Sequence, residues 1–260
     1  MKAETQSIDK TFYQQHADGE EIIAIKGLQK SFGDNHVLRG FNLSLKKGEN
    51  IVILGKSGCG KSILIKCIVG LIRYDAGSLE VLGNEIKDLS HAALDELRMK
   101  IGFVFQNSAL YDSMTVRKNL EFPLRRHKLA LTPNDIQDLV KETLQNVGLL
   151  HAIDLMPSEL SGGMRKRIGL ARALVLNPEI VLYDEPTTGL DPISSKEIIT
   201  LMLNTQKQYN TSSIIISHDM HCARLTGNRL AVMSDGICYA EGNFENLKSS
   251  SDPVINSFFL

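Results

Sequence analysis

Short apolar runs punctuate this chain, and their spacing predicts its elements. Ile51-Val52-Ile53-Leu54 and Ile180-Val181-Leu182-Tyr183 are uninterrupted, the pattern of strands buried on both faces. Ser213 to Ser217, with Ile214-Ile215-Ile216 at its centre, Ile101 to Phe105, and segments near Leu230–Met233 and Ile237–Tyr239 read as further strands. Glu21 to Leu45 spaces its apolar residues instead (Ile23, Ile25, Val37, Leu38, Phe41, Leu43, Leu45) around Gly33-Asp34-Asn35, which predicts antiparallel strands joined by a turn. Helical stretches are expected over Lys61 to Gly70, about Gly163 to Leu176, and about Ser194 to Tyr209, with a short one after Ser217. From about Ser108 to Ser158 the chain also reads as helical. There Thr132 is an N-cap before Pro133, and Ile136, Leu139, Val140, Thr143, Leu144 and Val147 recur at helical spacing.

Strands alternating with helices predict an α/β fold with a mostly parallel core sheet. An antiparallel β region precedes that core, and a helical subdomain (about 107–176) is inserted in it. One domain is expected over 21–242, with 1–20 and 243–260 as tails. The apolar end, Ser257-Phe258-Phe259-Leu260, is expected to pack on the chain's own core, with a partner chain as the alternative.

Composition narrows the function. The net charge of −1 and pI near 6.7 leave no basic field to hold a nucleic-acid backbone. The apolar runs fall well short of the roughly 20 residues of a membrane span. The first 21 residues lack the apolar h-region of a secretory signal. The four cysteines show no CxxC pairing or zinc spacing. Cys67, Cys222 and Cys238 read as small core residues in a reducing compartment.

Three segments carry chemistry. Gly55-Lys56-Ser57-Gly58-Cys59-Gly60-Lys61-Ser62 lies between a strand and a helix, the context of a phosphate-cradling loop. Its glycines let successive N–H groups point inward at phosphate oxygens. Lys61 reaches the outer phosphates and the Ser62 hydroxyl ligates magnesium. Asp184 ends an apolar strand and can hold the same ion. Glu185 follows it as a candidate general base for an attacking water. In Leu160-Ser161-Gly162-Gly163-Met164, Ser161 caps a helix whose N-terminus and bare glycine N–H groups form a separate anion site. Cys59 sits at the start of a helix, where thiols become reactive, so thiol reagents are expected to inhibit and a bound nucleoside triphosphate to protect.

These segments, in this order, resemble the ATP-binding-cassette (ABC) ATPases, over about Ile22 to Gly242. The resemblance implies a P-loop NTPase core that binds ATP and Mg²⁺, with Gly55 to Ile63 around the phosphates. It implies that Gln106 is the glutamine that contacts the metal or water and senses the transport partner. It makes His218 the switch histidine at the γ-phosphate, alongside Glu185, and Phe32 the aromatic that stacks on adenine. The family more often has Tyr at that last position; Phe keeps the π face. Gly189-Leu190-Asp191 resembles the D-loop at a dimer seam. Two such cassettes face head to tail, so Ser161, Gly162, Gly163 and Met164 of one close over the nucleotide of the other.

The implied assembly is a homodimer with integral-membrane permease subunits, peripheral on the cytoplasmic face of the inner membrane and without nucleic acid. A permease helix would dock near Gln106 to Leu124, where Tyr111, Met114, Leu120 and Phe122 are apolar candidates or subdomain core. Translation factors of the family usually carry two cassettes per chain, and chromosome ATPases insert long coiled coils; neither feature is present. Met164-Arg165-Lys166-Arg167, Glu185-Pro186-Thr187-Thr188 and Ser217-His218-Asp219-Met220 are similar to the Mla/Mce-type phospholipid transporter ATPases. That similarity implies an Mce-type lipid-binding partner. A transporter of another small solute is the alternative.

Overall fold

The structure, a computed structural model, describes residues 19–127 and 130–259. In chain order its elements are β1 (Glu21–Phe32), β2 (Asn35–Lys46), β3 (Asn50–Gly55), α1 (Lys61–Ile68), β4 (Ala76–Val81), β5 (Asn84–Glu85), α2 (His91–Met99), β6 (Ile101–Val104), α3 (Val116–Arg126) and α4 (Pro133–Asn146). Then follow α5 (Gly162–Leu174), β7 (Ile180–Asp184), α6 (Pro192–Tyr209), β8 (Ser212–Ile216), α7 (Met220–Thr226), β9 (Arg229–Ser234), β10 (Ile237–Gly242), α8 (Phe244–Lys248) and α9 (Pro253–Asn256).

The apolar runs become the centre of a six-stranded sheet ordered β10-β9-β3-β8-β7-β6. β3, β7 and β8 are buried at every position. They pair in parallel with each other and with β6 and β9, and β10 closes one edge antiparallel. Each buried Val, Leu or Ile contributes roughly 1.5–3 kcal/mol relative to exposure, and those on this sheet supply both faces. One face packs Ile51, Ile53, Leu182 and Ile214 against α1 and the N-terminal sheet. The other packs Val52, Leu54, Val181 and Ile215 against residues of α6 and α7.

The β1–β2 hairpin turns at Gly33, whose φ is +58°, with Phe32 opposite Asn35. β4 pairs antiparallel on the other side of β1, so the second sheet runs β2-β1-β4-β5. Gly77 in β4 has φ +95°, and a Cβ there would lie 2.4 Å from the Gly27 carbonyl oxygen; only glycine permits this approach.

α3, α4 and α5 form a third layer with its own core, which includes Leu120, Val140, Leu144 and Ile168. Thr132 and Asp135 make a reciprocal capping box at the start of α4. α5 is fastened to the main sheet: a Cβ on Gly102 of β6 would come within 2.7 Å of the Ala173 carbonyl oxygen.

The segment expected as a C-terminal tail is structured. Asn243 and Asp252 cap α8 and α9, and Leu247, Ile255, Phe258 and Phe259 pack on the second core cluster. Residues 1–18 of the expected N-terminal tail, and Leu260, lie outside the described residues. Among the described residues no helix is long and apolar enough to cross a membrane.

Candidate functional site

Parallel strands deliver their carboxyl ends to one edge, where ligands of α/β sheets bind. Here four of the five parallel strands carry the predicted residues at those ends. β3 ends at Gly55, β6 runs into Phe105-Gln106, β7 ends at Asp184 with Glu185 next, and β8 runs into Ser217-His218. Register aligns them, because Asp184 and Ile53 both pair with Ile216, and Val104 with Tyr183.

A cleft of about 490 Å³ opens at this edge. It is lined by Phe32, Ser57, Gly58, Gly60, Lys61, Ser62, Ile63, Gln106, Glu185 and His218, together with Val37 and Thr188. Sequence reasoning did not single out these last two.

The loop between β3 and α1 folds around its lysine. Lys61 is 8% exposed, and its Nζ donates to the carbonyls of Gly55 (2.6 Å) and Lys56 (3.1 Å). Gly58 and Gly60 have φ of +81° and +108°, which L side chains rarely adopt. Gly60 also lies where a Cβ would meet Val37 Cγ1 at 2.9 Å.

Cys59 and Lys56 do not face the 490 Å³ cleft. They line a larger one, about 650 Å³, that shares Val37, Ser57 and Gly58 with the first and adds His36, Asp235 and Phe258. The Cys59 side chain turns back over β3, so a Cβ on Gly55 would meet its Sγ at 2.6 Å. The larger cleft collects none of Asp184, Glu185, His218 and Gln106. Size alone does not mark the chemistry.

Ser62 Oγ donates to Asp184 Oδ1 at 3.2 Å. Burial pushes the Asp184 carboxyl above the usual carboxylate range; the Ser62 hydrogen bond opposes this and the Glu185 charge adds to it. Ser62 and Asp184, with Gln106 in the same cleft, fit a hard cation that completes its shell with phosphate oxygens and water.

Glu185 sits at φ +51°, a conformation that costs a non-glycine residue about 1–3 kcal/mol. It is held on several sides. Its N–H donates to the Ile216 carbonyl at 3.0 Å. Its Oε2 accepts from Thr188 Oγ1 at 3.0 Å and lies 2.7 Å from His218 Nδ1. Its carbonyl accepts from the Thr188 N–H and from Lys166 Nζ, both at 3.3 Å. Burial lowers the Lys166 pKa below the ordinary lysine range, against the Glu185 and Asp184 charges.

Phe32 is 48% exposed at the cleft mouth, with Lys30 Nζ 5.1 Å from its ring centroid. Asp75 fixes this strand end by accepting from Lys30 Nζ (2.8 Å) and the Ser31 N–H (2.6 Å).

Two predicted groups lie outside the cleft. Ser161 caps α5, accepting from the Met164 N–H at 3.2 Å, while Gly162 is exposed and Met164 packs on the helical layer. Gly189 has φ +79°, Leu190 packs on the second core cluster, and Asp191 caps α6. Ser194 joins the two groups: its Oγ bonds Asp191 at 2.6 Å and would lie 3.3 Å from a Cβ on Gly163.

A profile described as ABC transporter matches residues 38–188, more than half of the chain. The chain belongs to the ABC transporter family. It is an ATP-binding, ATP-hydrolysing subunit of a transporter. It is 38% identical over 239 residues to the intermembrane phospholipid transport system ATP-binding protein MlaF of Haemophilus influenzae, which covers 92% of this chain and 90% of that protein. It is 39% identical over 236 residues to the probable ribonucleotide transport ATP-binding protein mkl of Mycobacterium leprae, covering 91% of this chain and 68% of the relative. Among solved structures, the dimeric post-hydrolysis ATP-binding cassette MJ0796 bound to ADP and Pi superposes with a TM-score of 0.78 at 30% identity. That match covers 85% of this chain and 98% of the cassette.

Proposed function

We propose that two copies of this chain close head to tail over two ATP molecules and power phospholipid transport in the cell envelope through a separate permease. The observation that carries this reading is the split of the site. Ser161–Gly163 forms a capped helix start outside its own chain's cleft, so a second chain must bring it to the nucleotide.

In this reading Lys61 exchanges its loop carbonyls for the outer phosphates, and the N–H groups of Gly58 to Ser62 cradle them. Phe32 stacks on the base. Ser62, Asp184 and Gln106 hold Mg²⁺, which when bound neutralises phosphate charge. Glu185 takes the proton from the attacking water, and His218 orients the Glu185 carboxylate and faces the γ-phosphate. Gly189, Leu190 and Asp191 lie at the seam, where Asp191 keeps the start of α6 rigid. Turnover then reopens the pair, because the bridging γ-phosphate is gone.

Phospholipid as substrate is supported by the relative MlaF and its 90% coverage. A permease helix would dock by the exposed pair Tyr111 and Phe122, whose rings lie 5.0 Å apart; Leu120 is core. The assembly would lie on the cytoplasmic face of the inner membrane and include an Mce-type lipid-binding protein. The relative mkl, named for ribonucleotide transport, favours the second reading, a transporter of another small solute.

The test is purification of the Glu185→Gln protein from native membranes in mild detergent with ATP, followed by mass spectrometry. Co-purification of a polytopic permease, an Mce-type protein and phospholipid supports the proposal. A permease with a periplasmic solute-binding protein replaces the lipid reading. Ribosomal or DNA-bound partners without a membrane protein overturn both.

A further inference from the structure

α5 carries a buried lysine that lines neither cleft. Lys166 is 9% exposed, and a buried ammonium requires acceptors. Its Nζ donates to the Gln106 carbonyl at 2.6 Å and to the Glu185 carbonyl at 3.3 Å. Those two oxygens belong to the ends of different strands, β6 and β7, and both residues line the cleft. One side chain thus ties two backbone segments that no ladder hydrogen bond joins at this point, since pairing of β6 with β7 stops at Val104 and Tyr183.

Both anchored segments are conformationally demanding. Glu185 is left-handed, and Ser108 and Ala109, just beyond Gln106, have φ of +60° and +46°. The same face of α5 grips the latter pair. Arg172 donates to the carbonyls of Ala109 (2.6 Å) and Ser108 (3.1 Å), and a Cβ on Gly169 would lie 3.0 Å from Ser108 Cβ.

We propose that Lys166 is a positioning residue for ATP hydrolysis: it locks the backbone at Gln106 and Glu185 in one mutual arrangement, so both side chains meet the same nucleotide. The proposal rests on the hydrolytic role of Glu185.

The test is steady-state turnover and ATP affinity of the full chain in its transporter complex, for wild type, Lys166→Met, Lys166→Arg, Glu185→Gln and Lys166→Met with Glu185→Gln. Lys166→Met keeps the stem and removes the donors. It should lower kcat by roughly 10–100-fold, the scale of a misplaced catalytic group, with KM and ATP affinity unchanged. Lys166→Arg, which keeps a charged multi-donor head, should recover most of the loss. In the Glu185→Gln background Lys166→Met should lower the residual rate by less than it does in wild type, because only the Gln106 anchor is left to lose.

A wild-type kcat in Lys166→Met, a parallel fall in ATP affinity, or a full further loss in the double variant overturns the proposal. If Lys166→Met does not fold, Lys166→Gln, with one amide left to donate, serves in its place. It should fall between wild type and the Glu185→Gln rate, and wild-type turnover in it again contradicts the role. Separately, wild-type turnover by Glu185→Gln itself removes the hydrolytic reading, whatever the Lys166 variants do.

Discussion

Nδ1 of His218 lies 2.7 Å from Oε2 of Glu185, a contact that joins the ends of β7 and β8. An ionised Glu185 accepts at that contact, and the tautomer that suits it is His218 with its proton on Nδ1. If the two act as one unit, their losses do not add. Glu185→Gln should lower turnover by roughly 10²–10⁴-fold, His218→Ala by less, and the double variant no more than Glu185→Gln alone. Steady-state ATPase rates of the three variants check this, and multiplied losses would show independent roles.

Asp184 gives a stability prediction with a definite sign. Burial raises its folded-state pKa above the ordinary value of 3.8. Below 3.8 both folded and unfolded chains are protonated there, and no penalty exists. As pH rises from that value through the raised one, the native state loses stability, and it stays lower above. Asp184→Asn should therefore melt higher than wild type at pH 7–8 without nucleotide or metal, while losing magnesium-dependent turnover. Thermal melts across pH give the answer; a variant that melts lower throughout contradicts the account.

The cysteines divide by environment. Burial raises the pKa of Cys67 to about 11, and of Cys222 and Cys238 to about 12, Glu241 adding to the effect at Cys238. These three should resist a maleimide at neutral pH. Cys59 is half-exposed and lines the larger cleft, so one thiol per chain should label, and none in Cys59→Ser. Labelling should block turnover, because the Cys59 sulfur sits 4.0 Å from Lys61 Nζ and an adduct displaces the loop. Intact-mass spectra with paired ATPase assays test both parts.

Where period and punctuation agree, the chain was legible. The apolar runs of β3, β7 and β8 and the Thr132-Pro133 cap announce themselves, and with them the strand ends that carry Lys61, Asp184, Glu185 and His218. The region from Leu71 to Lys100 gave no reading, although it contains β4, β5 and α2. β4 is six residues long and owes its place to pairing with β1 and to Gly77, a tertiary fact with little local signal. α8 and α9 were missed for lack of length, although Asn243 and Asp252-Pro253 are cap signals. Lys166 was invisible for another reason. In the sequence it is one of three adjacent cations, Arg165-Lys166-Arg167, with no local signal of which is buried, and it is packing of α5 on Gln106 that buries Lys166.

The central claim is that Ser161–Gly163 of one copy meets the nucleotide of the other. Ser161 is exposed, at a helix N-terminus where a carboxylate is tolerated, so Ser161→Glu should fold normally but repel a phosphate. The most direct measurement is light-scattering mass of the Glu185→Gln chain with MgATP, with and without Ser161→Glu, alongside ATP affinity. The account predicts a two-chain mass for Glu185→Gln with ATP and a one-chain mass once Ser161→Glu is added, with ATP affinity of the single chain unchanged. An ATP-driven pair that forms equally well with Ser161→Glu would contradict it.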